Sequence, residues 1–240
     1  PGFDPLLQAY GAMLSVTGGP DDPPTFAGAA INDKATAMWC VIGALAALRQ
    51  RDATGRGCLS DTSLFESAVD WVETPLNGYL ASGTVPARHG TGSANLVPYQ
   101  VFETADRPIC VAAGNQRLWV KFAEAAGHPE WTGDARFRTG RDRTAIRPVL
   151  LARPRDHWMT AFGAAGVPCA PVNSLAELAA TPQLAAMDLL REVPGTGLRV
   201  VGLPVSFDRE RPRPRSAAPT LGQDNAVVLG EGIPAVTKPR

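Results

Sequence analysis

A single aspartate, Asp33, stands at the start of a long apolar stretch that runs to Arg51. Within it, Met38, Ile42 and Leu45 recur at three- and four-residue spacing, and apolar residues fill the other faces. This pattern predicts a helix that is buried on all sides. Asp33 could be its N-cap, because aspartate oxygens accept hydrogen bonds from the free N–H groups of a first helical turn. The alternative is a carboxylate with a chemical role of its own.

Histidine and cysteine side chains, which bind metals or act as nucleophiles in many proteins, are few and scattered in this sequence. They are His89, His128, His157, Cys40, Cys58, Cys110 and Cys169. No two histidines have the spacing of metal ligands and no Cys-x-x-Cys pair occurs, so we predict that the protein binds no metal ion. Free cysteines in this arrangement are typical of a reducing compartment, which predicts a cytoplasmic location.

Charge and hydropathy argue against two further classes of protein. The chain has 23 Lys and Arg residues against 23 Asp and Glu, a formal net charge of zero. This balance disfavours a nucleic-acid binder that works by neutralising phosphates. No apolar run approaches the ~20 residues that a membrane span needs, and the first residues lack the basic region of a signal peptide. We therefore expect neither nucleic acid nor membrane as a partner.

The pattern along the chain predicts three consecutive segments. Residues 1–83 are expected to be mostly helical, with a short strand at 58–63 and then a second helix that Pro75 bends or ends. Residues 84–187 begin with a glycine-rich loop and continue as a hairpin, amphipathic helices and a further strand. Residues 188–240 contain a strand pattern, an alternation of arginine and proline typical of extended chain, and a short helix.

Several motifs, in this order, resemble those of the class III CoA-transferases, the formyl-CoA transferase and carnitine CoA-transferase group that also contains the α-methylacyl-CoA racemases. GFDPLLQAYGAMLSVTG is similar to the family's Gly-Tyr/Phe-Asp-x-x-x-Gln-Ala segment, and GAAINDKATAMWCVIGALAAL to the helix that begins at the catalytic aspartate. TGRGCLSDTSLFES is similar to the strand and helix that follow. NLVPYQVFETAD, AAGVPCAPVNSLAEL and LGQDNAVVL resemble the small domain and the C-terminal return.

The resemblance implies an α/β fold, with part of a Rossmann-like large domain, a smaller α+β domain and an interlocked homodimer. Residues 1–83 would carry the catalytic-aspartate helix of the large domain. Residues 84–187 would form the small domain, and residues 188–240 would return to the large one. Members of the family have a nucleotide-binding half ahead of the position where this sequence starts. We therefore expect that CoA binding needs a separate N-terminal piece.

The resemblance also implies an activity, the transfer of CoA from an acyl-CoA donor to a small carboxylic acid. Asp33 would then be the nucleophile, and catalysis would pass through an aspartyl anhydride and an aspartyl thioester. Coenzyme A, carried as the acyl-CoA substrate, is the implied cofactor.

Further site residues follow from the same resemblance. The loop RHGTGSAN corresponds to a glycine-rich loop that folds over the acyl group in the family, which implies substrate contacts at Gly90, Gly92 and Asn95. The segment from Asp4 to Leu7 resembles the one that passes beside the pantetheine of CoA. Asp4 and Leu7 are therefore the implied cofactor contacts.

Two other functions stay open. A racemase of the same fold would use its aspartate to move a proton at Cα, with a histidine as partner. The aspartate helix of that group typically starts Ala-Asp-Phe followed by glycines, whereas this chain has Asn32-Asp33-Lys34-Ala35, which favours transfer. A non-catalytic remnant would instead keep this part of the fold as a dimerising module and would bind no CoA.

Overall fold

The structure is a computed structural model that describes residues 2–93, 96–139 and 143–229. Its contacts divide the chain into two compact units, Pro1–Val172 and Asn173–Arg240. The division into segments 1–83, 84–187 and 188–240 that the sequence suggested stays a prediction.

The first unit begins with helices. They are α1 (Asp4–Tyr10), α2 (Met13–Val16), α3 (Ile31–Thr54), α4 (Leu64–Trp71) and α5 (Glu73–Ser82). The strand expected at 58–63 is wrong: this segment has no regular secondary structure, since no neighbouring chain among the described residues pairs with it. The second predicted helix is two helices, which separate at Val72 and not at Pro75. Proline is tolerated there because the first helical turn needs no N–H from it.

A small antiparallel sheet follows in the same unit. Its strands are β1 (Tyr99–Phe102), β2 (Ile109–Ala112) and β3 (Cys169–Pro171), in the order β1-β2-β3. The register pairs Val101 with Cys110 and Val111 with Cys169. The predicted hairpin and the later strand are therefore confirmed.

Helices cover this sheet. They are α6 (Gln116–Ala125), a 3-10 helix (Pro129–Thr132), α7 (Arg136–Thr139), α8 (Arg143–Leu151) and α9 (Arg155–Ala165). Trp119 and Phe122 of α6 are buried with Phe162 of α9, as the amphipathic pattern of α6 predicts. Burial of each such side chain stabilises the fold by about 1.5–3 kcal/mol. A second, smaller cluster, formed around Met13 and Ala68, joins α2 to α4.

Helix α3 differs most from the expectation. Only Asn32 and Ala35 of its 24 residues are buried. Its exposed large apolar residues are Met38, Trp39, Val41, Ile42, Leu45 and Leu48. The prediction of a helix buried on all sides is therefore wrong for this structure. An apolar helix is buried only where other elements cover it, and α1 and α4, which contact α3, leave most of it open.

The second unit is smaller and is described by itself. It contains α10 (Leu175–Ala179), α11 (Pro182–Ala186), β4 (Leu190–Glu192), β5 (Arg199–Val201) and α12 (Asn225–Leu229). Strands β4 and β5 pair antiparallel, and the short helices α10 and α11 precede them in the chain. The parallel strands of a Rossmann-like domain are not among the described residues. Across the same ranges, no helix combines the length and the apolar character that crossing a membrane requires.

Candidate functional site

Asp33 lies inside the first turn of α3 and not at its N-cap. The helix begins at Ile31, and Ala30 occupies the N-cap position without a side-chain hydrogen bond. The N-cap interpretation of Asp33 is therefore wrong. The Asp33 side chain is exposed at the end of the helix, where the positive end of the helix dipole stabilises a negative charge.

The capping expected of Asp33 is provided by Asp4. Asp4 Oδ1 accepts hydrogen bonds from the backbone N–H of Asn32 at 2.7 Å and of Asp33 at 3.4 Å. Asp4 is itself only 6% exposed. In the part of the chain that the structure describes, no hydrogen bond or ion pair engages the Asp33 carboxylate.

Gln8 is the hydrogen-bond partner of Asp4 beneath the start of α3. The sequence alone did not identify it as a site residue. Its Nε2 donates to Asp4 Oδ2 at 2.6 Å, and its Oε1 accepts from the backbone N–H of Ala27 at 2.9 Å. Gln8 is 2% exposed. A signal was present, because residues four apart on a helix are neighbours and an Asp–Gln pair at that spacing can form a hydrogen bond.

An open cavity of about 430 Å³ lies beside Asp33. It is lined by Phe3, Asp4, Pro5, Gln8, Phe26, Ala27, Gly28, Ala29, Ala30 and Asp33. Two aspartates and Gln8 thus belong to a lining that is otherwise mostly apolar. A somewhat larger cavity, of about 500 Å³, opens beside α8 and α9. None of the predicted site residues lines it.

The described part of the glycine loop hydrogen-bonds to the segment around Gly18 and does not line this cavity. The Gly90 N–H donates to the Gly18 carbonyl at 2.9 Å, and the Arg88 guanidinium donates to the Pro20 carbonyl at 3.2 Å. Gly90 has φ +63°, a conformation that favours glycine. Neither Gly90 nor Gly92 is among the described residues that line the Asp33 cavity, and Asn95 lies outside the described residues.

Leu7 also lies apart from the cavity. It packs against the small apolar cluster of Met13, Ala68 and Val72. The structure therefore brings Asp33 and Asp4 together, and it places Leu7 and the glycine loop elsewhere. Within the described ranges, no group of three or more His, Cys, Asp or Glu side chains could hold a metal ion.

Comparison with known proteins decides the family. The family model described as CoA-transferase family III matches residues 1–225. The chain belongs to this family. The resemblance noted in the sequence is therefore confirmed.

Curated relatives in CoA-transferase family III are longer than this chain. The acetyl-CoA:oxalate CoA-transferase of Acetobacter aceti is 31% identical over 241 residues, which are 96% of this chain and 61% of that protein. The succinyl-CoA:glutarate CoA-transferase of Homo sapiens is 28% identical and is covered over 55% of its length. The chain thus spans about three fifths of the length of the curated relatives it matches.

Solved structures confirm the fold of the family. A CAIB/BAIF family protein from Brucella suis matches with a TM-score of 0.79 and 30% identity, over 94% of this chain and 61% of that one. Rv3272 from Mycobacterium tuberculosis matches with a TM-score of 0.80 over 95% of this chain and 62% of that one. Its identity of 24% supports the fold alone.

Proposed function

We propose that this member of CoA-transferase family III moves CoA from an acyl-CoA to a small carboxylic acid, with Asp33 as the nucleophile. The observation that carries the proposal is that two aspartates at the start of α3 have different contacts. Asp4 caps helix α3, so the Asp33 carboxylate has no structural partner among the described residues. It lies exposed on the wall of a cavity, at the positive end of the helix.

The chemistry consists of four acyl transfers. The Asp33 carboxylate attacks the thioester carbonyl, the CoA thiolate leaves, and a mixed anhydride forms. The thiolate then attacks the Asp33 carbonyl of the anhydride, which releases the donor acid and leaves an aspartyl-CoA thioester. The acceptor carboxylate attacks that thioester, the CoA thiolate leaves again, and a second anhydride forms between Asp33 and the acceptor. CoA thiolate finally attacks the acceptor carbonyl, which yields the new acyl-CoA and restores Asp33.

Two features of the cavity support these steps. Phe3 and Phe26 are part of its lining and are exposed, so they offer apolar contacts to the acyl group of a bound substrate. Asp33 opens onto the cavity in the first turn of α3, where the positive end of the helix favours the ionised carboxylate. We further propose that Gly90, Gly92 and Asn95 contact the acyl group once substrate is bound.

The assembly is part of the proposal. We infer a homodimer, because six large apolar residues of α3 are exposed along one helix, and clustered exposed apolar residues are typical of an interface. The relatives are longer than this chain, so CoA binding by an additional N-terminal piece is also proposed. A cytoplasmic location stays a prediction from the cysteines.

The test is a search for the covalent intermediate. The protein is incubated with acetyl-CoA and oxalate, or with succinyl-CoA and glutarate, the pairs named for its relatives. Hydroxylamine or borohydride traps the product, and mass spectrometry of peptides locates it. We expect modification of Asp33 and none in Asp33→Ala, with Asp52→Ala at the other end of the same helix as control.

Other outcomes select other functions. CoA exchange with a modified residue other than Asp33 would overturn the nucleophile assignment. Epimerisation of a single acyl-CoA without exchange would indicate a racemase. A protein that binds no CoA, with or without a supplied N-terminal piece, would be a non-catalytic remnant.

A further inference from the structure

We propose that Gln8 is a positioning residue for Asp33, which it controls through the buried carboxylate of Asp4. The inference rests on the proposed function, because Asp33 is taken as the group to be positioned. It assigns to Asp4 a role in holding the helix, in place of the pantetheine contact that the family resemblance implies.

The contacts form one chain from the cavity wall to the nucleophile. The Ala27 N–H donates to Gln8 Oε1, and Gln8 Nε2 donates to Asp4 Oδ2. Asp4 Oδ1 in turn receives the N–H of Asn32 and, at longer range, of Asp33. Gln8 therefore holds two groups at once, the backbone of Ala27 in the cavity lining and the carboxylate that caps the first turn of α3.

The chemical type of Gln8 matters for this role. A buried carboxylate needs a hydrogen-bond donor on each oxygen, since an unsatisfied charged oxygen in the interior is costly. The amide of Gln8 donates a hydrogen bond to Oδ2 and leaves the negative charge of Asp4 in place. A lysine at this position would cancel that charge. The negative charge thus stays directed at the N–H groups of the α3 terminus, where it is most stabilising.

The experiment uses variants that keep the shapes of the Asp4 and Gln8 side chains and change which of them donates a hydrogen bond. Gln8→Glu keeps the acceptor for Ala27 and loses the donor to Asp4. The double variant Asp4→Asn/Gln8→Glu restores a donor–acceptor pair with the charge moved to position 8. Gln8→Met supplies an apolar side chain of similar length if the glutamate variant does not fold. Asn77→Asp is the matched control, because Asn77 donates to Glu73 four residues earlier on the exposed face of α5.

We measure kcat and KM for CoA exchange against pH, and backbone hydrogen exchange at Asn32 and Asp33. In Gln8→Glu the two facing carboxyls share a proton at low pH and repel each other once it is lost. We therefore expect kcat to fall as pH rises, by about ten- to a hundredfold at neutral pH, with little change in KM. The double variant should recover part of the lost kcat, because the hydrogen bonds of the pair return while the charge at position 4 does not, and it should lose the added pH dependence.

Three outcomes decide the inference. Faster amide exchange in Gln8→Glu with wild-type kcat and pH profile would show a merely structural role and overturn it. A raised KM with unchanged kcat would mark Asp4 as a ligand contact, which also overturns it. If the wild type transfers no CoA and no adduct forms on Asp33, the proposed function fails. The rate of backbone hydrogen exchange at Asn32 and Asp33 then decides alone whether Gln8 holds the α3 terminus. This rate must rise in Gln8→Glu and fall back towards the wild-type rate in the double variant. Any other result overturns the inference.

Discussion

The carboxylate of Asp4 caps a helix to which it does not belong: its Oδ1 lies 2.7 Å from the backbone nitrogen of Asn32, the residue before Asp33. Asp106 does the same for α9, since its Oδ1 accepts from the backbone N–H of Arg155 at 2.7 Å. Neither α3 nor α9 has a side-chain hydrogen bond from its own N-cap residue. A carboxylate brought in from elsewhere in the chain holds each terminus.

We predict that Asp33→Asn loses CoA exchange by about a thousandfold or more, because an amide is a poor nucleophile at the first step. The substitution is isosteric and the side chain is exposed, so the melting temperature should stay close to that of the wild type. Steady-state kinetics and thermal unfolding measure the two effects. Asp52→Asn is the control and should keep its activity; retained exchange in Asp33→Asn would remove Asp33 from the mechanism.

A side chain at Gly90 is expected to lower the stability of the protein. At φ +63° a Cβ costs about 1–2 kcal/mol, although the nearest atom to it would be 3.9 Å away. Gly90→Ala should therefore lower the free energy of unfolding by about 1 kcal/mol and reduce CoA exchange. Gly57→Ala is the control, since a Cβ there meets nothing within 4 Å. Equal stability of the two variants in urea unfolding would show that the loop relaxes without strain.

The stability contributed by Asp106 should depend on pH. The N–H of Arg155, the hydroxyl of Thr104 and the N–H of Arg107 donate to its carboxylate, and they hold the pKa of Asp106 below its ordinary value of 3.8. Because the folded-state pKa is lowered, the contribution is fully present above the ordinary value. It is lost as pH falls through the lowered pKa.

Urea unfolding at several pH values checks this prediction. Asp106→Asn should be less stable than the wild type at pH 7, and the difference should shrink below about pH 4. Asp61→Asn is the control, as Asp61 is exposed in the irregular segment 58–63. A difference between Asp106→Asn and the wild type that stays constant with pH would contradict the assignment.

Helix α3 should mediate association of the chain. Met38, Val41 and Leu45 are 64%, 60% and 62% exposed, and apolar surface of this extent marks an interface. Light scattering should show a species larger than a monomer at micromolar concentration. Leu45→Glu should shift it toward the monomer, whereas Leu175→Glu, at an exposed apolar residue of the second unit, should not. A stable wild-type monomer would refute the homodimer.

The chain by itself should bind CoA weakly. Among the described residues, those that line the Asp33 cavity include two aspartates and no lysine or arginine, so this lining offers no cationic side chain to the phosphates of CoA. Charge-assisted hydrogen bonds to phosphate contribute about 1.5–3 kcal/mol each, and the lack of two or three weakens affinity by roughly two to six orders of magnitude. Calorimetry with free CoA measures it, and a micromolar dissociation constant would reveal a phosphate site elsewhere.

Local patterns in the sequence were enough for much of the fold. The hairpin of β1 and β2, the inward face of α6 at Trp119 and Phe122, and the limits of α9 at Pro154 and Gly166 all follow from residues close in the chain. Periodicity, turns and helix ends are short-range properties, so a sequence displays them directly. The same holds for the position of Asp33 near the start of a long helix.

The tertiary structure alone decided what surrounds Asp33. Asp4 reaches Asn32 across 28 residues of chain, and no local spacing encodes such a contact. The same reason explains the error on α3: its apolar residues indicate a helix, but only the presence of covering elements determines burial. Whether Asp33 caps its helix or is free to react depends on which distant side chain takes the first N–H groups, and folding brings Asp4 to that place.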